Sequence, residues 1–139
     1  MTYQLEEPFF EEKGRITSQK EIGDNKTQMT FSSNGTFKKN IEVTNLGEFV
    51  SVSKDNKGTS AQGQGIVTTK DGSEKANYSF LQVGKTITKN GKPILRGVGS
   101  AVWSTDSIGR LAFLDNMLSF FIIEVDETGN FLSKDRELK

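Results

Sequence analysis

Ser60-Ala61-Gln62-Gly63-Gln64-Gly65-Ile66-Val67-Thr68-Thr69-Lys70-Asp71-Gly72-Ser73-Glu74-Lys75-Ala76-Asn77-Tyr78-Ser79-Phe80-Leu81-Gln82-Val83 is the stretch that decides the fold. Two runs of alternating polarity flank Asp71-Gly72. Glycine reaches positive φ without steric cost and Asp tolerates it, so the pair fits a tight reversing turn between antiparallel strands. Working outward, the same punctuation recurs at Asn34-Gly35, Asn90-Gly91 and Thr128-Gly129-Asn130, each between runs rich in Thr, Val, Ile, Phe and Tyr. A chain that reverses so often is an antiparallel meander, and closure into a barrel removes its exposed edges.

Segment by segment, residues to about Lys13 read as an N-terminal arm or edge strand. Strands are expected over Arg15 to Ile22, Gln28 to Ser33, Thr36 to Thr44 and Glu48 to Ser53, with Asn45-Leu46-Gly47 as a break. Ser60 to Thr69, Lys75 to Val83, Thr86 to Thr88 and Ile94 to Ser104 follow the cluster Asp55-Asn56-Lys57-Gly58. Between Thr105 and Asn116 the alternation stops, and Ile108, Leu111 and Leu114 recur at a three-residue interval. That interval predicts a short helix, capped by Thr105 or Asp106. Met117 to Val125 and Phe131 to Leu138 resume the sheet. The expected architecture is all-β: one domain over residues 1–139, an antiparallel up-and-down barrel of about eight strands with one short helix before the penultimate strand.

Composition narrows the chemistry. The 139 residues carry 18 basic and 18 acidic side chains. No global field therefore attracts nucleic acid or an anionic membrane, and no basic stripe interleaved with aromatics appears. Histidine and cysteine are both absent. That removes imidazole catalysis, thiolate chemistry, disulfides and zinc sites of the Cys/His type. Gly63-Gln64-Gly65 lacks the third glycine and following helix of a dinucleotide loop, and no calcium loop is present. No cofactor and no metal are expected. Met1 to Glu7 has neither a basic nor an apolar leader segment, and Met117 to Val125 is too short to span a bilayer, so the expected location is cytoplasmic.

Three features bear on function. In the strand ending at Ser104, Gly97, Gly99, Ala101 and Trp103 share a face, as Gly63 and Gly65 do on an earlier strand. Stacked small residues either let the sheet coil tightly or leave room for a ligand beneath the indole; curvature is the simpler reason. If there is room, Trp103, Tyr78 and Phe80 are the expected lining, with Gly97 and Gly99 supplying space and Arg96 a polar contact. Met117 to Val125 is apolar on both faces, so something must cover its outer one: the helix, the Phe9-Phe10 arm, or a second copy of the chain in a homo-oligomer. Arg96 and Glu124 each sit on an apolar stripe, as partners across neighbouring strands or as chain ends reaching water. Thr17, Gln19, Glu21, Gln28 and Thr30 form a polar face. If it points inward, Glu21 is the best general base in a chain without histidine.

Several segments resemble a family of small archaeal proteins without an assigned activity. They are Gln28-Met29-Thr30-Phe31-Ser32-Ser33-Asn34-Gly35-Thr36-Phe37, the run from Gly63-Gln64-Gly65 to Asp71-Gly72, and Leu111-Ala112-Phe113-Leu114-Asp115-Asn116 with the strand after it. In architecture the pattern is similar to the allene oxide cyclase and dirigent barrels, and more loosely to the calycins. That resemblance implies an eight-stranded barrel with a cavity for an apolar small molecule. Three functions follow as expectations: non-catalytic binding of a small apolar or amphipathic molecule; an isomerase or cyclase using Glu21 with Arg96 as anion partner; or an interaction protein with a filled barrel.

Overall fold

The structure, a computed structural model, describes residues 7–54 and 58–138. Eight strands run in chain order: β1 (Phe10–Gly23), β2 (Lys26–Phe37), β3 (Ile41–Lys54), β4 (Gly58–Thr69), β5 (Lys75–Lys89), β6 (Lys92–Ser104), β7 (Leu118–Val125) and β8 (Asn130–Glu137). Every neighbouring pair is antiparallel, and β1 pairs with both β2 and β8, so the sheet closes on itself. The segment expected as an arm thus supplies the start of a full barrel strand: Phe10 lies opposite Asp135 of β8 on one side and Phe37 of β2 on the other.

Turn chemistry explains most reversals. Asn25, Gly72, Asn90, Gly91 and Gly129 all have positive φ, which Asn and Gly tolerate best. Asn34-Gly35 and Asn45-Leu46-Gly47 are not turns. Both lie inside long strands, and the reversal falls instead after Phe37, where Lys38 and Lys39 carry the positive φ. Gly84, also expected as a break, is interior to β5.

The inward glycines serve the rings beside them. Gly47 lies directly opposite Phe31, Gly63 opposite Phe49, Gly65 opposite Tyr78, Gly99 opposite Phe121 and Gly14 opposite Phe131. A Cβ at any of these glycines would run into its partner's side chain. At Gly14, Gly47, Gly65 and Gly99 it is the partner's ring that fills this space, and at Gly63 the Phe49 Cβ, so the sheet curves tightly while its aromatics stay inside.

One end of the barrel is plugged. Phe10 stacks on Phe37 with centroids 4.2 Å apart, and both rings meet the Trp103 indole edge-on. The Thr105–Met117 connection folds across this end with Leu111 and Leu114 fully buried. Its helix is a single 3-10 turn, Ala112–Leu114. The expected longer helix does not form, and Ile108 points into solvent. Glu74, in the β4–β5 hairpin, holds the connection instead. Its carboxylate accepts hydrogen bonds from the Leu111 backbone N–H (3.0 Å), the Ser107 hydroxyl and Arg110 Nε (3.3 Å). Arg110 also pairs with Asp71 at 2.9 Å.

The connection caps the barrel end and leaves the outer face of β7 uncovered. Leu118 there is exposed, and the apolar surface continues through Val98 and Val102 of β6 to Leu81 and Val83 of β5. Among the described residues no helix is long and apolar enough to cross a membrane.

Candidate functional site: a cup with a carboxylate floor

The opposite end, carrying the β1–β2, β5–β6 and β7–β8 hairpins, opens into a cavity of about 580 Å³. Its mouth mixes polar groups, Thr17, Ser18 and Gln19 of β1, Thr86 of β5 and the Asp126–Gly129 turn, with Met29 of β2 and Pro93 and Ile94 of β6. A β-bulge between Ile16 and Ser18 shapes this rim by breaking the alternation of β1. Below it lies an apolar waist, mainly Phe31, Phe49, Phe80, Phe121, Phe131 and Ile123. At the bottom, against the aromatic plug, sit Glu12, Tyr78, Trp103, Ser133 and Asp135.

The floor is a pair of buried carboxyls served by two hydrogen-bond relays. Oε1 of Glu12 accepts from the Ser33 hydroxyl at 2.5 Å and from Asn45 Nδ2 at 3.0 Å. The Tyr78 hydroxyl donates to Asn45 Oδ1 at 2.9 Å. In the second relay Trp103 Nε1–H donates to Ser119 Oγ at 2.9 Å, and that hydroxyl donates to Oδ2 of Asp135 at 3.2 Å. Strand pairing brings the two acids together: Glu12 lies opposite Ser133, and Asp135 is the next inward residue of β8. Diagonal neighbours of this kind are about 7 Å apart.

Burial dominates the electrostatics. Desolvation raises the Glu12 pKa, against the lowering effect of the Ser33 and Asn45 hydrogen bonds. Desolvation, followed by the Glu12 charge, pushes Asp135 well above the ordinary carboxylate range, and the Ser119 hydrogen bond opposes this only in part. Burial likewise keeps the Tyr78 phenol protonated. Neither acid forms an ion pair among the described residues. Two interacting buried carboxyls without a cation resist double ionisation, so burial and mutual repulsion both favour a proton on the pair.

The sequence-derived candidates divide in two. Trp103, Tyr78 and Phe80 line the cavity. Gly97 and Gly99 face inward, but the space above them is taken by Gln82, Ile123 and the Phe121 ring rather than left to the cavity. Arg96 is on the outer surface; it lies opposite Glu124, whose carboxylate is held instead by Lys89 at 2.8 Å. Glu21 is exposed, two residues beyond Gln19, the last β1 residue of the cavity wall. General acid–base work inside the cavity would therefore fall to Glu12 and Asp135, which sequence reasoning passed over. Their signal was alternation: Phe10, Glu12, Gly14 and Ile16 share one face of β1, as Phe131, Ser133 and Asp135 do on β8.

No family model matches the sequence. No curated protein matches it either. Solved structures do share the fold. A protein of unknown function from Clostridium acetobutylicum ATCC 824 superposes with a TM-score of 0.75 at 12% identity, covering 96% of this chain and 97% of the other. A conserved protein of unknown function from Rhodopseudomonas palustris gives 0.71 at 15% identity, covering 99% of this chain and 100% of the other. The chain is a small eight-stranded antiparallel barrel of the same architecture. At such identities the likeness concerns fold alone.

Proposed function

We propose that this barrel is a binding protein for a small molecule with a substantial apolar part, held in the cavity between the β-hairpin rim and the carboxylate floor. The observation that carries the reading is the cavity itself: about 580 Å³, walled by aromatic and aliphatic side chains and open at the end carrying the β1–β2, β5–β6 and β7–β8 hairpins. That volume and lining belong to the range of small-molecule sites, in which an apolar wall supplies affinity and a few polar groups fix orientation. The architectural resemblance to allene oxide cyclase, dirigent and calycin barrels supports the same reading, since their cavities accommodate apolar small molecules.

Trp103 is the only tryptophan and lies at the cavity floor, so its fluorescence reports on occupancy. Titration with farnesol or retinol is expected to quench or shift the emission saturably. Ala61 is part of the wall, and Ala61→Phe should remove the response by filling the cavity, with a thermal melt confirming that the variant folds. An emission spectrum of the native protein unchanged by farnesol, by retinol and by a decyl amine, alcohol or acid would refute the reading.

A further inference from the structure

The cavity wall has one sign of charge. Glu12 and Asp135 at the floor and Asp126 and Glu127 at the mouth contribute carboxyls, whereas no lysine or arginine among the described residues takes part in the lining. The relays engage one oxygen of each floor acid, Oε1 of Glu12 and Oδ2 of Asp135. Among the described residues no buried side-chain nitrogen or oxygen lacks a partner. The second oxygens of Glu12 and Asp135, which take no such bond, are therefore not sealed in protein and open into the cavity. Beside them at the floor the Tyr78 and Trp103 rings pack on each other, centroids 4.7 Å apart.

We propose that the ligand is an amphipathic cation, a hydrophobic amine whose ammonium head sits between Glu12 and Asp135 and whose apolar tail fills the aromatic waist. This deepens the cavity-binding reading and rests on it. A primary ammonium has three donors and no acceptor, which suits a floor whose open atoms are acceptors. A fatty acid or phosphate ester would bring negative charge to a wall whose charged groups, among the described residues, are carboxyls, and that is a strong counter-selection. An amine head also supplies the positive charge that the pair lacks.

Binding then carries a proton signature. The inward groups around the head are Glu12 on β1, Tyr78 on β5 and Asp135 on β8; Ser33, Asn45, Trp103 and Ser119 from β2, β3, β6 and β7 are neutral. Tyr78 stays protonated throughout. Burial and the neighbouring acid favour the protonated carboxyl, and an ammonium displaces that proton, so amine affinity rises with pH as the floor acids ionise. Asp126 and Glu127 at the exposed mouth add only a steering attraction.

The test compares three probes of equal chain length, decylamine, decanol and decanoate, by calorimetry and Trp103 fluorescence at pH 7. Decylamine is expected to bind at least tenfold more tightly than decanol, with decanoate weakest and with a proton released on amine binding. Glu12→Gln and Asp135→Asn keep the shape of each carboxyl and are each expected to lower the amine-to-alcohol affinity ratio tenfold or more. Decanol binding as tightly as decylamine, or a ratio unmoved in both variants, would overturn the cation assignment while leaving the cavity-binding reading intact. Failure of all three probes to bind would overturn both.

Discussion

Asp135→Asn tests the electrostatics of the floor without any ligand. A carboxyl that holds its proton more tightly in the folded chain than in the unfolded one adds stability below its unfolded pKa. That contribution is lost as pH rises through the folded pKa. The Asp135 pKa is raised well above its usual 3.8 by burial and by Glu12, so the native protein should lose stability from about pH 4 upward. Asparagine keeps an oxygen for the Ser119 hydroxyl and drops the charge. The loss is therefore small, one 3.2 Å hydrogen bond becoming neutral rather than charge-assisted. The gain is larger, because the desolvation cost and the repulsion from Glu12 both vanish. Replacing buried charge by a well-fitted neutral group stabilises by about 1–4 kcal/mol. At about 2 kcal/mol, and about 3–5 °C per kcal/mol for a chain of this size, Tm at pH 8 should rise by about 6–10 °C. At pH 4 the two proteins should melt within a few degrees of each other. Circular dichroism melts at pH 4, 6 and 8 provide the measurement. A variant less stable than the native protein at pH 8, with the same pH dependence, would show that Asp135 is not strained by burial.

Glu74 titrates with the opposite sign. Hydrogen bonds from Leu111 and Ser107 hold its pKa down at about 2, so its contribution is present above its usual value near 4.5 and lost as pH falls toward 2. Glu74→Gln should lower Tm at pH 7, with the gap to the native protein closing by pH 2, and an equal gap at both pH values would argue against the clasp. For the outer face, a homo-oligomer seated on β7 predicts contrasting effects at adjacent positions. Phe120→Lys should leave the fold intact and reduce the mass seen by light scattering. Phe121→Lys should cost about 3–5 kcal/mol and unfold the barrel, since Phe121 lies inside against Gly99. A native protein that scatters as a monomer would remove the oligomer proposal.

Local chemistry made much of the fold legible. Asp71-Gly72 and Asn90-Gly91 need positive φ, only turns supply it, and both form turns. The inward face of β6, with Gly97, Gly99, Ala101 and Trp103, followed from period-two alternation alone. Asn34-Gly35 failed because glycine has a second use that no local rule separates from the first. Gly35 is needed where the Phe10 ring crosses β2, and Asn34 beside it points outward with ordinary strand geometry. The Thr105–Asn116 helix was overestimated for a similar reason. A side chain far away in sequence, Glu74, captures the Leu111 N–H and Ser107, so the segment finds its hydrogen bonds without completing a helix.

The floor of the cup was illegible for a reason built into the topology. Glu12 falls in a stretch that looks like an arm, and Asp135 falls in the last expected strand within the charged run Lys134-Asp135-Arg136-Glu137, where no apolar alternation marks an inward face. Each residue taken singly belongs with water. Only the pairing of the first strand with the last turns both inward and makes them neighbours. A pair of unbalanced acids thereby sits across the seam that closes the barrel, where burial works against folding and an apolar pair would close it more cheaply. At the deepest point of an aromatic cavity, each with one oxygen braced by a relay, they are the groups that the proposed ammonium head would meet. The aromatic plug beneath and the glycine–aromatic pairs around the wall supply the apolar burial that offsets them.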